Sequence, residues 1–169
     1  MSMAVQKILL LGNPHLYERS EPVESSEIPG LRGVVEDLHD TMMAFHARYG
    51  RGRAIAAPQI GVMKRLIYMH IERPHVFVNP VLSDKSSEMM ELWDDCMSFP
   101  DIVVRVRRHR ACVITYRDLE WRKQRMDLHN GLSELLQHEV DHLDGILAVQ
   151  RAIDDRSIAL ASEIPKGTT

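Results

Sequence analysis

His138-Glu139-Val140-Asp141-His142, with Leu132-Ser133-Glu134-Leu135-Leu136-Gln137 before it and Leu143-Asp144-Gly145-Ile146-Leu147 after it, decides how the rest of the chain is read. Leu132, Leu135, Leu136, Leu143, Ile146 and Leu147 recur at spacings of three and four, the pattern of a helix with one buried face that starts at Asn130 or Gly131. On that helix His138 and His142 stand one turn apart, with Cβ atoms roughly 5–6 Å from each other, so both rings can reach one ion. Glu139 is turned by about 100° from His138. It therefore lies beside the ion, near a bound water, as a base and not as a ligand. Chance pairs of histidines are unsurprising among nine in the chain, but the full His-Glu-x-x-His pattern on a periodic apolar helix points to a metal site.

Composition narrows what such a site can serve. The 169 residues suit a single domain, 1–169, with 44% apolar and 27% charged side chains. No apolar run approaches the ~18 residues of a membrane span. The apolar part of Met1 to Gly12 is too short for a secretory signal, so a cytoplasmic location is the default. A net charge of −3 gives no general pull toward nucleic acid. The basic run Arg105-Val106-Arg107-Arg108-His109-Arg110 reads as the solvated face of a strand, because no aromatic residue is interleaved for base stacking. Cys96 and Cys112 read as ligand or buried thiols, not as a disulfide, in a reducing compartment.

Residues 4–30, with Gly12, Pro14, Pro22, Pro29 and Gly30, form an irregular arm in which Leu9-Leu10-Leu11 supplies an anchor. Leu31, Val34, Val35, Leu38, Met42 and Phe45 share a stripe, predicting an amphipathic helix from Leu31 to about Tyr49 that Gly50-Arg51-Gly52 ends. Arg53-Ala54-Ile55-Ala56-Ala57-Pro58-Gln59-Ile60-Gly61 is small and apolar, suited to close backbone approach. Strands are predicted at 66–71, 76–80, 102–107, 111–116 and 124–128, with a turn at Arg73-Pro74, a short helix near 155–163 and a tail from Pro165 to Thr169. The fold class is α+β, with antiparallel or mixed sheets packed around a central helix that carries the metal motif.

A catalytic ion of this kind takes three protein ligands and keeps one position for water. One protease extension of the motif is matched as far as Gly145, but its final ligand position is Ala148, which cannot bind metal. Glu163 is the only later glutamate and sits against the tail. Cys96 remains, in the turn-like, acid-flanked Trp93-Asp94-Asp95-Cys96-Met97-Ser98-Phe99-Pro100. A thiolate with two imidazoles favours Fe(II), Zn, Co or Ni over Mg or Ca. Cys112, between Ala111 and Val113 in an apolar strand, reads as a buried inert thiol.

Gly52-Arg53-Ala54-Ile55-Ala56-Ala57-Pro58-Gln59, Asp94-Asp95-Cys96-Met97-Ser98 and Gln137-His138-Glu139-Val140-Asp141-His142-Leu143-Asp144-Gly145 together resemble, in order and spacing, the three motifs of the peptide deformylase family. Echoes at Asn13-Pro14-His15-Leu16, Asp40-Thr41-Met42 and Val78-Asn79-Pro80 extend the resemblance over nearly the whole chain. The resemblance implies a hydrolase that removes the N-formyl group from the N-terminal methionine of nascent polypeptides and releases formate. It implies Cys96, His138 and His142 as ligands of one divalent ion, Fe2+ first, with Zn2+, Ni2+ or Co2+ as substitutes. Glu139 is expected to move the proton, while the Gln59 side-chain amide and the Met97 backbone N–H stabilise the oxyanion, each worth about 3 kcal/mol. The partners implied are an N-formylmethionyl peptide and, transiently, the ribosome, although the tail lacks a strongly basic helix. No nucleic-acid readout and no membrane are expected, and the sequence sets no oligomeric state.

Five positions depart from the family pattern. Arg53 stands where an apolar residue is usual, Ala54 replaces a glycine, and Asp94-Asp95 replaces Glu-Gly. Val103 occupies the place of an arginine that clasps substrate, with Arg105 as a possible substitute. The methionine pocket is expected to draw on Leu92, Leu135 and the His138 ring, with Glu134 near its mouth. Asp141 is expected to pair with Arg108 and brace the site. These departures keep two alternatives open: a related hydrolase of another N-formyl or N-acyl substrate, or a weakly active deformylase-like binding protein.

Overall fold

A computed structural model describes residues 4–165. The expected amphipathic helix, α1, runs from Ile28 to Tyr49, starting three residues earlier than its apolar stripe. Pro29 and Gly30, read as part of the arm, lie in its first turn, where a proline loses no intrahelical hydrogen bond. Leu31, Leu38, Met42 and Phe45 are buried as the stripe requires. Gly50 ends the helix with φ 69°, a left-handed conformation natural to glycine.

The chain then makes β1 (Ala54–Ala56), β2 (Leu66–His70) and β3 (Pro74–Ser83). β3 continues through Pro80 because the ladder is interrupted there: the register shifts between Val78 and Val81, and Asn79 takes φ 50°. The Asn79 side chain uses the interruption to hold the Val23 N–H and C=O, both at 2.8 Å.

β4 (Met89–Asp95), β5 (Ile102–His109), β6 (Ala111–Arg117) and β7 (Lys123–His129) follow, then α2 (Asn130–Leu143) and β8 (Ile158–Leu160). Two sheets result, ordered β1-β2-β3-β6-β7 and β4-β5-β8, and every strand pairing within them is antiparallel. Neither β4 nor β8 was expected. The stretch read as turn-like is a strand up to Asp95, and the segment read as a short helix is β8 followed by a 3-10 turn, Ala161–Glu163. Pairing of Ile158–Leu160 with Ile102–Val104 overrides the weak helical pattern there. Of the expected tail, residues 166–169 lie outside those described.

α2 packs on β1, β3 and β7 of the larger sheet and on β5 of the smaller one. Every residue from Ser133 to Leu143 is buried, so the helix is enclosed on all sides and not on one face as its leucine pattern suggested. Its polar side chains must therefore find partners inside the protein. Gln137 donates to the His109 carbonyl at 2.8 Å and accepts from the His109 N–H at 3.1 Å, tying α2 to the end of β5. The helix ends at Leu143, before Ile146 and Leu147, and Gly145 two residues on takes φ 72°.

The N-terminal arm closes over the ends of these elements. Leu9 N–H donates to the Gln59 carbonyl and Leu11 N–H to the Ser98 carbonyl, both at 2.8 Å, while Ser20 N–H donates to the Leu143 carbonyl at 2.9 Å. No helix among the described residues is long and apolar enough to cross a membrane.

Candidate metal centre

His138 and His142 face the carboxyl end of β4 from α2, as their spacing requires. His142 Nε2 lies 3.1 Å from His138 Nε2 and 3.3 Å from Cys96 Sγ, and the three donor atoms fall within 4.8 Å of one another. A tetrahedral ion about 2.0–2.1 Å from nitrogen and 2.3 Å from sulfur needs ligand atoms spaced by roughly 3.3–3.6 Å. The two separations from His142, 3.1 and 3.3 Å, lie within about 0.3 Å of that spacing. No other cluster of this kind occurs among the described residues. Glu163 is exposed at the far end of β8, Ala148 is packed in the core, and Cys112 is a buried free thiol 3.4 Å from Ser133 Oγ.

His138 Nδ1 lies 2.9 Å from Asp94 Oδ2, and both side chains are buried. A proton on Nδ1 facing the carboxylate leaves the Nε2 lone pair for an ion. Burial opposes positive charge at His138, yet Asp94 and Cys96 outweigh it and drive its pKa well above the ordinary value. The surroundings are thus built to hold a cation at this point.

Asp94 is itself held by Arg108 at 3.1 Å, and Arg108 also donates to Asp141 as expected. Arg151 closes the other side of Asp141, at 2.7 and 3.1 Å. A line of alternating charges therefore runs from Arg151 through Asp141, Arg108 and Asp94 to His138. Sequence reasoning found only the Arg108–Asp141 link. Alternation along a strand would have turned Asp94 inward and Asp95 outward, but that signal was hidden by reading this stretch as a turn.

Glu139, 3% exposed, lines the cleft beside these donors, and its Oε2 is buried without a hydrogen-bond partner among the described residues. Burial pushes its carboxyl up to about 7. A dication beside it favours the carboxylate and pulls the other way. Gln59 sits in a 3-10 turn, Ala57–Ile60, with Oε1 accepting from Ala56 N–H at 3.0 Å. Its Nε2 consequently points toward Ser98 Oγ at 3.1 Å and Cys96 Sγ at 3.6 Å. The Met97 N–H makes no hydrogen bond among the described residues, whereas its neighbour Ser98 donates to Cys96 Sγ at 3.5 Å.

The cleft has a volume of about 300 Å³. Its floor is α2, with Glu134, Leu135, His138 and Glu139; its walls are residues 50–54 and 92–97. Leu92, Leu135 and the His138 ring line it as expected. Two ion pairs line the cleft between its parts: Arg53 with Glu134 at 2.7 Å and Arg51 with Asp95 at 3.3 Å. Burial raises the Glu134 carboxyl above its ordinary value although Arg53 pulls it down. Val103 is buried opposite Asp95 in the β4–β5 ladder. Arg105 is not a substitute clasp: its side chain, half exposed, pairs with Glu91 at 2.8 Å and does not line the cleft.

An α+β fold that presents two imidazoles and a cysteine sulfur beside a buried, unpaired carboxyl group has the donor set of a mononuclear metallohydrolase. The model of the polypeptide deformylase family matches residues 5–157, and the chain belongs to that family. A peptide deformylase of Pelagibacter ubique is 36% identical over 153 residues, covering 87% of this chain and 86% of the relative. The structure of a peptide deformylase from Synechococcus elongatus in complex with actinonin aligns with TM-score 0.83 and 29% identity, over 92% of this chain and 82% of the other. A Met-Ala-Ser-bound class I type b deformylase from Acinetobacter baumannii aligns with TM-score 0.82 and 29% identity, over 89% and 99%. The chain is therefore an enzyme of the deformylase class.

Proposed function

We propose that this enzyme removes the formyl group from N-formylmethionyl peptides in the cytoplasm, with Cys96, His138 and His142 holding one divalent ion. The observation that carries the reading is the convergence of these three donors beside the unpaired Glu139 carboxylate. An ion held there supplies Lewis acidity, lowering the pKa of a water and polarising the formyl oxygen. Glu139 takes a proton from the attacking water and delivers it to the departing nitrogen, so that formate and a free amine leave. Gln59 Nε2 and the Met97 N–H donate to the formyl oxygen as negative charge gathers on it. Asp94 keeps the His138 ring in the tautomer that coordinates, and Arg108 keeps Asp94 ionised. Fe(II) is the ion we assign first, with Zn(II), Ni(II) and Co(II) suited to the same soft donor set. Brief contact with the ribosome would supply the substrate as chains emerge.

Metal content and formate release are the decisive measurements, on protein purified without oxygen. Cys96→Ala is expected to lose both. Glu139→Gln is expected to keep the metal and lose activity by about 10²–10⁴-fold. A Cys96→Ala protein with full metal and full turnover would sink the three-donor site.

A further inference from the structure

Glu134 stands one helical turn before His138, about 6 Å along the axis of α2, and lines the same cleft. An apolar side chain is the natural wall for methionine. Here the wall is a carboxylate, 12% exposed, that accepts from Arg53 Nη2 at 2.7 Å. Only its Oε1 is engaged; Oε2 makes no hydrogen bond among the described residues. Arg53, with 48% of its side chain exposed, donates there through Nη2 alone. The cleft is therefore lined by a carboxyl group with a spare acceptor and a guanidinium with spare donors, joined by one hydrogen bond.

A thioether answers this pair poorly, because sulfur is only a weak acceptor. An ammonium or a carboxylate gains one partner and meets a like charge next to it. A primary carboxamide satisfies both groups: its N–H donates to Glu134 while its oxygen accepts from Arg53. Glutamine reaches as far from the backbone as methionine does, and Leu92 and Leu135 remain to pack its methylenes.

We propose that the Arg53–Glu134 pair makes this cleft a carboxamide-accepting side-chain pocket, so that the enzyme also deformylates N-formyl peptides that begin with glutamine. The inference rests on the deformylase reading and uses the same chemistry. Water adds its oxygen to the formyl carbon, the C–N bond breaks, and formate and the glutaminyl amine depart.

The test compares formyl-Gln-Ala-Ser with formyl-Met-Ala-Ser on metal-replete protein, with formyl-Glu and formyl-Lys peptides as charge controls. In the wild type, kcat/KM for the glutamine peptide is expected within about tenfold of the methionine peptide. The double variant Arg53→Val/Glu134→Leu is expected to shift that ratio at least about a hundredfold toward methionine, mainly through KM. Glu134→Gln, which keeps an amide oxygen as acceptor, is expected to fall between the two. An unchanged ratio in the double variant, or a preference for the formyl-Glu or formyl-Lys peptide over formyl-Gln, would overturn the proposal. Hydrolysis of formyl-Met alone overturns it and leaves the deformylase reading standing; hydrolysis of no formyl peptide removes both.

Discussion

Arg108 is 4% exposed and carries two buried carboxylates, Asp94 and Asp141, on one guanidinium. Breaking such an arrangement by removing one member leaves charge without compensation, which costs about 3–5 kcal/mol. Arg108→Met is therefore expected to lower the unfolding free energy by that amount in a denaturant titration. Asp94→Asn keeps the shape of the link but not its charge, and is expected to weaken metal affinity by about 10–100-fold in addition to its loss of stability. A competition titration with a chelator measures it. The convergence of Cys96, His138 and His142 was legible in the sequence, because two histidines on a periodic helix and one acid-flanked cysteine carry their chemistry in their residue types and spacing. Of the support behind them only the Arg108–Asp141 link was, because Asp94, Arg108 and Arg151 come from three separate elements and meet only after β4 pairs with β5.

At the scale of elements, both short termini and long strands were governed by contacts that no local pattern announces. Met89–Asp95 alternates well enough once Asp94 is allowed to face inward, but a buried aspartate needs charge partners, here Arg108 of the neighbouring strand and His138 of α2. β8 has no pattern of its own and exists because the edge of β5 is free to take it. The end of α2 is more sharply specified. A Cβ on Gly145 would lie 2.5 Å from the Tyr17 carbonyl oxygen, and φ there is 72°. Gly145→Ala is thus expected to cost about 3 kcal/mol or more, since left-handed strain adds to a clash with backbone that cannot swing away. Thermal unfolding of the purified variant checks it.

The β6–β7 hairpin carries an acid-sensitive turn. Asp118 accepts from the Glu120 and Arg122 N–H groups and from the Arg122 and Gln124 side chains, at 2.9 to 3.0 Å. Burial works against its charge, but these donors outweigh it and lower its pKa. A lowered folded-state value means the stabilisation is present above the ordinary aspartate pKa of about 3.9 and is lost as pH falls through the folded value. The difference in melting temperature between wild type and Asp118→Asn is expected to shrink below about pH 4. A constant difference from pH 7 to pH 3 would refute this.

For the whole molecule, the arm matters more than its irregular sequence suggests. Its hydrogen bonds from Leu9 to Gln59 and from Leu11 to Ser98 hold the turn bearing the amide donor and the turn bearing Cys96 from one short segment. Replacing both leucines by proline deletes the two N–H donors. It is expected to lower kcat for formyl-Met peptides by about tenfold or more while formate release still depends on Glu139, as steady-state assays would show. The leucine triplet signalled an anchor correctly, but its backbone forms these bonds while the Leu10 and Leu11 side chains remain exposed.

β1 ends one sheet and β4 ends the other, and the cleft runs between Arg53-Ala54 on the first and Leu92 to Asp95 on the second. Both borders are strand edges with backbone groups left to pair. A peptide lying there in extended form would be a ninth strand shared by two sheets that otherwise end at the gap. Occupancy should then register far from the chemistry, as slowed amide hydrogen exchange in β2 and β5 together, with the two halves of the protein opening as one unit for as long as the chain end stays bound.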